Sequence, residues 1–310
     1  MKKLFRLPII MIFVLVTCFV VSCKKDSSTT TPDPVVTERD RILNLYTTDY
    51  LGSTVTDCGW TGNVTSCTPG TISADAQAKT LLRIKYFREM ALLPTDVSFL
   101  AANDAKCQQA ALMMHANNAL SHTPPTTWSC YTADGATAAG SSNIALGMHT
   151  SGAVSGFIND FGTGNEVVGH RRWLLYSKAR VLGHGSTSNA SAIWVFGNQS
   201  VTPLFTPEFI AWPPKGYVPA PVVYARWSFG IPGASFAGAT VTMKDPNNTA
   251  MTTSIISSTD NGYGDNTIVW VPTGVNTSSA ADLTYHVTIG NVTLGGTTHN
   301  YSYDVTIIKP

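Results

Sequence analysis

The sequence predicts an α+β protein with two parts, a layered unit of helices and strands followed by a small all-β unit. Helical spacing of apolar residues recurs between 73 and 120, and strand patterns follow at 179–184 and 192–196. This order of helices and then strands favours an α/β sandwich over a parallel βαβ repeat. From Val222 onward, short alternating segments rich in Val, Thr, Tyr and Ile are separated by turn sequences, which is typical of a β-sandwich.

The first residues predict an export signal. Basic residues precede an apolar run from Leu7 to Val21, which is short for a membrane span, and a small residue stands before Cys23. This ending resembles a lipobox, which implies a lipoprotein signal at 1–22 and acylation of Cys23; an ordinary signal peptide or a weak anchor helix is the alternative. We therefore expect an exported protein, lipid-anchored in the bacterial cell envelope at the outer membrane or cell surface.

Charge excludes one class of partner. Removal of the signal takes away three of the 20 basic residues and none of the 19 acidic ones, which leaves a formal net charge of −2. This balance gives no electrostatic case for nucleic acid. We expect membrane contact through the lipid alone.

The remaining chain divides by composition. Residues 23–37 are rich in Ser and Thr and broken by prolines, so they predict a flexible tether. Residues 38–208 form the unit of helices and strands, within which 123–147 reads as a loop. Residues 209–221 hold four prolines and three aromatics and predict a stiff connector. Residues 222–310 predict an Ig-like β-sandwich.

Four cysteines remain once Cys18 and Cys23 are set aside. An even number in an exported chain favours disulfides. Proximity along the chain suggests Cys58–Cys67 and Cys107–Cys130, which is one of three possible pairings. No CxxC pair is present in the sequence, so we do not expect metal binding through thiolates.

Two histidines are the strongest candidates for chemistry. His122 follows a helical pattern, and His170 lies in the stretch GHRRWLL at 169–175. Two imidazoles in one pocket could hold Zn²⁺, with a carboxylate or water completing the coordination. The alternative for His122 is a helix cap. Arg171 could bind an anionic ligand or pair with local carboxylates.

Several stretches together resemble one known family. The stretch GHRRWLL followed by RVLGHG at 180–185 resembles the signature of the CAP superfamily (cysteine-rich secretory, antigen 5 and pathogenesis-related proteins) in its bacterial form. Other parts of the chain resemble the family's opening helix (83–94), its first cavity histidine (120–122) and its late strand (193–198). The resemblance covers about residues 75–198 and implies that 38–208 form a CAP (SCP-like) domain, an α-β-α sandwich.

The resemblance also implies a site. Family members have a cleft lined by two His and usually two Glu, and His122 and His170 match the histidines directly. Ser142 stands where one Glu is expected, whereas Asp160, with Glu166 as the alternative, replaces the other. One carboxylate is thus missing and the other shortened, which favours binding over glutamate-dependent hydrolysis.

We therefore favour a non-catalytic binding module whose two-His cleft takes a metal ion, a lipid or a glycan. One alternative is a metal-assisted hydrolase of peptide or cell-wall material, in which Asp160 or Glu166 is the base. Another is an adhesion or scaffold protein that binds through its β-sandwich. A serine hydrolase based on Ser142 has no GxSxG motif to support it.

Overall fold

The computed structural model describes residues 36–197, 199–200 and 207–310. The predicted signal peptide, the lipid anchor at Cys23 and the tether up to residue 35 lie outside these residues. In the described ranges, no helix is both long enough and apolar enough to cross a membrane.

Helices dominate the described chain up to residue 197. A capping box between Thr37 and Asp40 begins the first helix, which continues into a π-helical turn, and Ser73 is the N-cap of the second helix, as predicted. The helices are α1 (Glu38–Leu45), α2 (Ala74–Met90), α3 (Ala101–Asn117), α4 (Ala133–Ser141), α5 (Thr150–Asn159) and α6 (Gly169–Leu174).

A four-stranded sheet lies between these helices. Its strands are β1 (Ser98–Phe99), β2 (Ser142–Leu146), β3 (Val181–Ser186) and β4 (Ala190–Trp194), in the order β1-β3-β4-β2. Side chains alternate between the faces: Ile144 and Ala192 pack with α3 and α4, whereas Ala145 and Ile193 pack with α2 and α5. The protein is therefore α+β, with helices on both faces of this sheet.

The predicted loop at 123–147 is wrong, because it contains α4 and β2. The sequence of α4, ADGATAAGS, has only small apolar residues and so shows no helical stripe of bulky side chains. Ala138 and Ala139 are nevertheless fully buried, and they pack with α3. Close packing by small residues leaves little periodic signal in a sequence.

Two glycines allow α3 to pack against β3. A Cβ at Gly183 would lie 2.4 Å from the Asn103 Cβ, and one at Gly185 would lie 2.1 Å from the Gln108 nitrogen. His184 lies between them and is buried; its Nδ1 is 2.6 Å from Gln77 Oε1, and its Nε2 is 2.9 Å from Ser186 Oγ. Burial lowers the pKa of His184 to about 3.

This depressed pKa makes His184 a source of acid sensitivity. The folded-state pKa of His184 lies below the ordinary value of 6.5. The stability that neutral His184 contributes to the fold is therefore complete above pH 6.5 and is lost as the pH falls toward about 3. The stability difference between wild type and His184→Gln should therefore shrink on acidification by at most about 1.4 kcal/mol per pH unit. Urea unfolding at several pH values measures this difference, with Ile255→Ala as an uncharged control. A difference independent of pH would contradict the prediction.

Two further sheets form the rest of the chain, 207–310, which we call the two-sheet region. One sheet has the order β10-β11-β7-β5 and the other β6-β13-β12-β8-β9. The strands are β5 (Ile210–Trp212), β6 (Gly216–Pro219), β7 (Trp227–Gly230), β8 (Thr240–Lys244), β9 (Ala250–Met251), β10 (Thr253–Ser257), β11 (Thr267–Pro272), β12 (Leu283–Leu294) and β13 (Thr297–Ile308).

The predicted connector at 209–221 is part of this region. It contributes β5, which pairs with β7, and β6, which pairs with β13. Both are edge strands, where a proline does not interrupt the hydrogen-bond ladder of a central strand. Pro219 lies in β6, Pro213 and Pro214 lie between the two strands, and Pro221 lies in the turn after β6, so this segment is not a free linker.

One apolar core joins all three sheets. Between the two sheets of the two-sheet region, Trp227 contacts Tyr285 and Phe229 contacts Tyr303. The core continues into the helices, because Phe87 of α2 packs against Trp212 of β5 with ring centroids 5.1 Å apart. The helices and the two-sheet region are thus held together by apolar burial.

The disulfide differs from the predicted pairings. Cys67 is bonded to Cys130, whereas Cys58 and Cys107 are free and buried. Cys107 lies on the face of α3 that packs against the sheet, and its Sγ lies near Ser142 Oγ. Distance along the chain was a poor guide because the bond joins two turns 63 residues apart.

The Cys67–Cys130 bond should contribute substantially to stability. Replacing both residues with Ser should lower the free energy of unfolding by about 4 kcal/mol, because the unfolded chain regains the entropy of an open loop. Urea unfolding measures this loss. A reducing agent should destabilise the wild type similarly and leave the double variant unchanged; a wild type insensitive to reductant would contradict the prediction.

Candidate functional site

The two predicted histidines lie together at a cleft of two adjoining cavities. The first cavity has a volume of about 330 Å³ and the second about 340 Å³, and His122, Asn165 and His170 border both. The first is also bordered by Gly140, Ser142, Asn143, Gly164, Val167, Gly169, Trp173, Val195, Phe196 and Tyr263. The second is also bordered by Leu120, Ser121, Ile144, Ala145, Leu146, Met148, Gly156, Phe157, Asp160 and Phe161.

His170 is held in one orientation by Asp160. The Asp160 carboxylate accepts hydrogen bonds from the His170 backbone nitrogen at 2.9 Å and from its Nδ1 at 2.7 Å. The ring also stacks on Phe157 with centroids 5.2 Å apart. In the neutral ring the Nδ1–H is thereby fixed, and Nε2 is left as a hydrogen-bond acceptor.

His122 is oriented in a similar way. Its Nδ1 lies 2.8 Å from the carbonyl oxygen of Ala139, which can only accept a hydrogen bond. Among the described residues, the Nε2 atoms of His122 and His170 have no hydrogen-bond partner. His122 lies five positions beyond the end of α3 at Asn117, so it does not cap that helix.

Asp160 occupies a strained position that serves this geometry. It ends α5 in the left-handed conformation, with φ 51°, and it is 2% exposed. Both carboxylate oxygens face the first turn of α6, where Oδ2 also lies 3.4 Å from the Arg171 nitrogen. The carboxylate therefore positions His170. Of the two cavities, Asp160 borders only the second.

Ser142 and Asn143 reach the cleft from the start of β2. Ser142 is buried, and its Oγ lies 3.7 Å from the Cys107 Sγ. Asn143 donates a hydrogen bond from Nδ2 to the His170 carbonyl at 3.0 Å. No hydrogen bond joins Ser142 to either histidine within the described residues, so the structure gives this serine no base.

Glu166 and Arg171 lie outside the cleft. Glu166 accepts hydrogen bonds from the Gly164 nitrogen, and its carboxylate is 3.9 Å from Arg226. Arg171 is buried and donates to the carbonyls of Ile158, Asn159 and Arg226 and to Ser228 Oγ. Burial lowers the pKa of Arg171 to about 10. Its guanidinium is fully used in joining α5 to the two-sheet region.

The residues of the cleft fit a protein-held metal ion poorly. Within the described ranges, no group of three or more His, Cys, Asp or Glu is placed to hold a metal. Catalytic zinc sites use three protein ligands and one open position, whereas the cleft offers two imidazoles. A bound ion would need water or a ligand for the rest of its coordination, and Zn²⁺ binding stays a prediction.

The sequence did not indicate the apolar rim of the cleft. Four large apolar side chains that are at least a third exposed border the two cavities: Leu120, Phe161, Phe196 and Tyr263. Clustered exposed apolar groups mark binding surfaces more often than scattered ones do.

A scan against models of known protein families finds no match to the chain, and a search of curated proteins finds none either. Membership in the CAP superfamily therefore stays a prediction that rests on the motifs.

The anchoring of both Nδ1 atoms predicts the tautomer of each ring. In the neutral form of each ring, nitrogen-15 NMR should show a protonated Nδ1 and an unprotonated Nε2 for His122 and His170. Asp160→Asn should produce a mixture at His170 and leave His122 unchanged, because an amide can also donate to Nδ1. A protonated Nε2 in the wild type would contradict the geometry.

Proposed function

We propose that this chain is an exported, lipid-anchored protein of the bacterial cell envelope, with a CAP-type α-β-α sandwich followed by an Ig-like β-sandwich. In this proposal the cleft is a non-catalytic binding site. Two findings support it: helices cover both faces of the four-stranded sheet, and the histidines of two separate motifs border the same two cavities.

One observation carries the proposal. Each histidine uses Nδ1 for an internal anchor, to Asp160 for His170 and to the Ala139 carbonyl for His122, and neither Nε2 has a partner among the residues that the structure describes. Two preoriented acceptors in a cleft with an apolar rim suit a ligand that carries hydroxyl or amide donors beside an apolar surface. Glycans and lipid headgroups with hydroxyls both have this chemistry.

Hydrolysis is the second candidate, because the Asp160–His170 pair resembles the orienting pair of many general bases. The base would then be His170, since the carboxylate of Asp160 is occupied and Glu166 lies outside the cleft. The amide groups of Asn143 and Asn165 already donate to the carbonyls of His170 and Phe161. Each of these amides keeps a second N–H as a candidate oxyanion donor, so hydrolysis is tested alongside binding.

The proposal predicts a ligand that depends on both histidines. The full chain in detergent is titrated by calorimetry with chitotetraose, with Zn²⁺ and with a short-chain, water-soluble phosphatidylglycerol. For the probe that binds, His122→Gln and His170→Gln should each weaken affinity about three- to tenfold, the value of one hydrogen bond. His286→Gln, on β12 and outside the cleft, should bind as the wild type does.

The same titrations separate the alternatives. Binding unchanged in both cleft variants but lost on deletion of 222–310 would favour an adhesion or scaffold role. Turnover of chitotetraose or of a peptide that is lost in His170→Gln would favour hydrolysis, and its sensitivity to a chelator would show whether a metal takes part.

A further inference from the structure

Tyr263 brings the two-sheet region into the cleft. It lies on the loop 258–266 between β10 and β11, far along the chain from both histidines, yet its ring borders the first cavity. The ring is 36% exposed, so one part packs against the protein and another part remains open.

The start of α6 is shaped to accept this ring. A Cβ added at Gly169 would lie 2.7 Å from Tyr263 Cδ1 and 2.8 Å from Cε1, distances that real Cβ contacts do not reach. The Arg172 guanidinium carbon lies 5.6 Å from the ring centroid, within the range of a cation–π contact. Gly169 and Arg172 thus flank His170 on the chain and both contact Tyr263.

The loop on which Tyr263 lies is anchored beside it. The Asp265 carboxylate accepts hydrogen bonds from the Ser177 nitrogen at 2.9 Å and its Oγ at 3.0 Å, and the Asp265 carbonyl accepts from Arg172. Gly264 adopts φ +41°, and a Cβ there would lie 2.6 Å from the Arg172 carbonyl. Tyr263 is therefore held in place before any ligand binds, which reduces the entropy lost on binding.

A second part of the cleft border is fastened by the same region. Arg226 donates hydrogen bonds to the carbonyls of Asp160, Gly162 and Asn165. These three residues belong to the segment between α5 and α6, which also places Gly164 and Asn165 at the border of the first cavity. The two-sheet region therefore supplies one wall of the cleft and fixes a second wall.

The first cavity has the chemistry of a site for a neutral sugar. Trp173, Phe196 and Tyr263 give it aromatic surface, and Trp173 and Phe196 pack edge to face with centroids 4.7 Å apart. Within the described residues, its border contains no Lys, Arg, Asp or Glu. An anionic headgroup would find no Lys or Arg among these residues, whereas a sugar ring can place its C–H face on an aromatic ring and donate hydroxyls to Nε2 atoms.

We infer that the cleft is completed by the two-sheet region and that Tyr263 is the platform on which a neutral sugar ring stacks beside His122 and His170. This inference rests on the proposed binding function and narrows it to one ligand class. It also assigns the two-sheet region a direct part in ligand recognition.

The test uses the full chain in detergent and calorimetric titration with chitotetraose and cellotetraose, both neutral β-linked oligosaccharides. At least one should bind the wild type. Tyr263→Ala should weaken that binding about tenfold, whereas Tyr263→Phe, which keeps the ring, should stay within about threefold. Ile255→Ala, on the exposed side of β10, should have no effect.

A second variant distinguishes loss of the Tyr263 platform from a folding defect. Gly169→Ala leaves Tyr263 unchanged but displaces its ring, so it should weaken binding in the wild-type background. In the Tyr263→Ala background the added methyl group has no ring to displace, so Gly169→Ala should then have little further effect. Thermal unfolding of each variant verifies the fold.

Each failure has a distinct meaning. Oligosaccharide binding that is lost in His170→Gln but unchanged in Tyr263→Ala would overturn the platform and leave the proposed function intact. Binding of Zn²⁺ or of short-chain phosphatidylglycerol that depends on the histidines, without binding of either oligosaccharide, would overturn the sugar assignment alone. Absence of binding by every probe would overturn both.

Discussion

The structure around the cleft depends on one buried carboxylate. Asp160 accepts hydrogen bonds from the backbone and the ring of His170, and its Oδ2 also faces the Arg171 nitrogen. These contacts fix the start of α6 against the end of α5. Because α6 is fixed there, His170 faces the cleft, whereas Arg171 turns into the protein and joins the two-sheet region. A carboxylate buried at 2% exposure is stable only with such donors.

The stretch GHRRWLL therefore acts as a junction as well as a site. Gly169 admits the Tyr263 ring, His170 borders both cavities, and Arg171 and Arg172 bond to carbonyls of the two-sheet region. Burying an arginine is costly unless its donors are satisfied, and Arg171 meets this condition with three carbonyls and a hydroxyl. In return for the cost of burying Arg171, its hydrogen bonds hold the helices and the two-sheet region in one geometry around the cleft.

Patterns with a strong local cause were predicted well. Ser73 caps α2, and the alternation after Val222 corresponds to strands. The meeting of His122 and His170 at one cleft has no local cause and was expected from the family resemblance. Other features with a non-local cause were not. The helix α4 buries only small side chains, the segment 209–221 contributes two edge strands, and Cys67 and Cys130 meet through folding of distant turns. Arg171 and Glu166 were assigned to the cleft because sequence neighbourhood does not reveal the direction of a side chain.

The sequence by itself determined the class of structure and the residue types available for chemistry, because periodicity, capping and turn residues act within a few positions. It also determined a near-neutral charge and two histidines in polar settings. Only the tertiary structure decided which nitrogen of each histidine is free, which carboxylate orients His170 and that Tyr263 borders the same cavity. These properties depend on hydrogen bonds and contacts between residues that lie from about 10 to about 100 positions apart. No local pattern in the sequence encodes contacts over such separations.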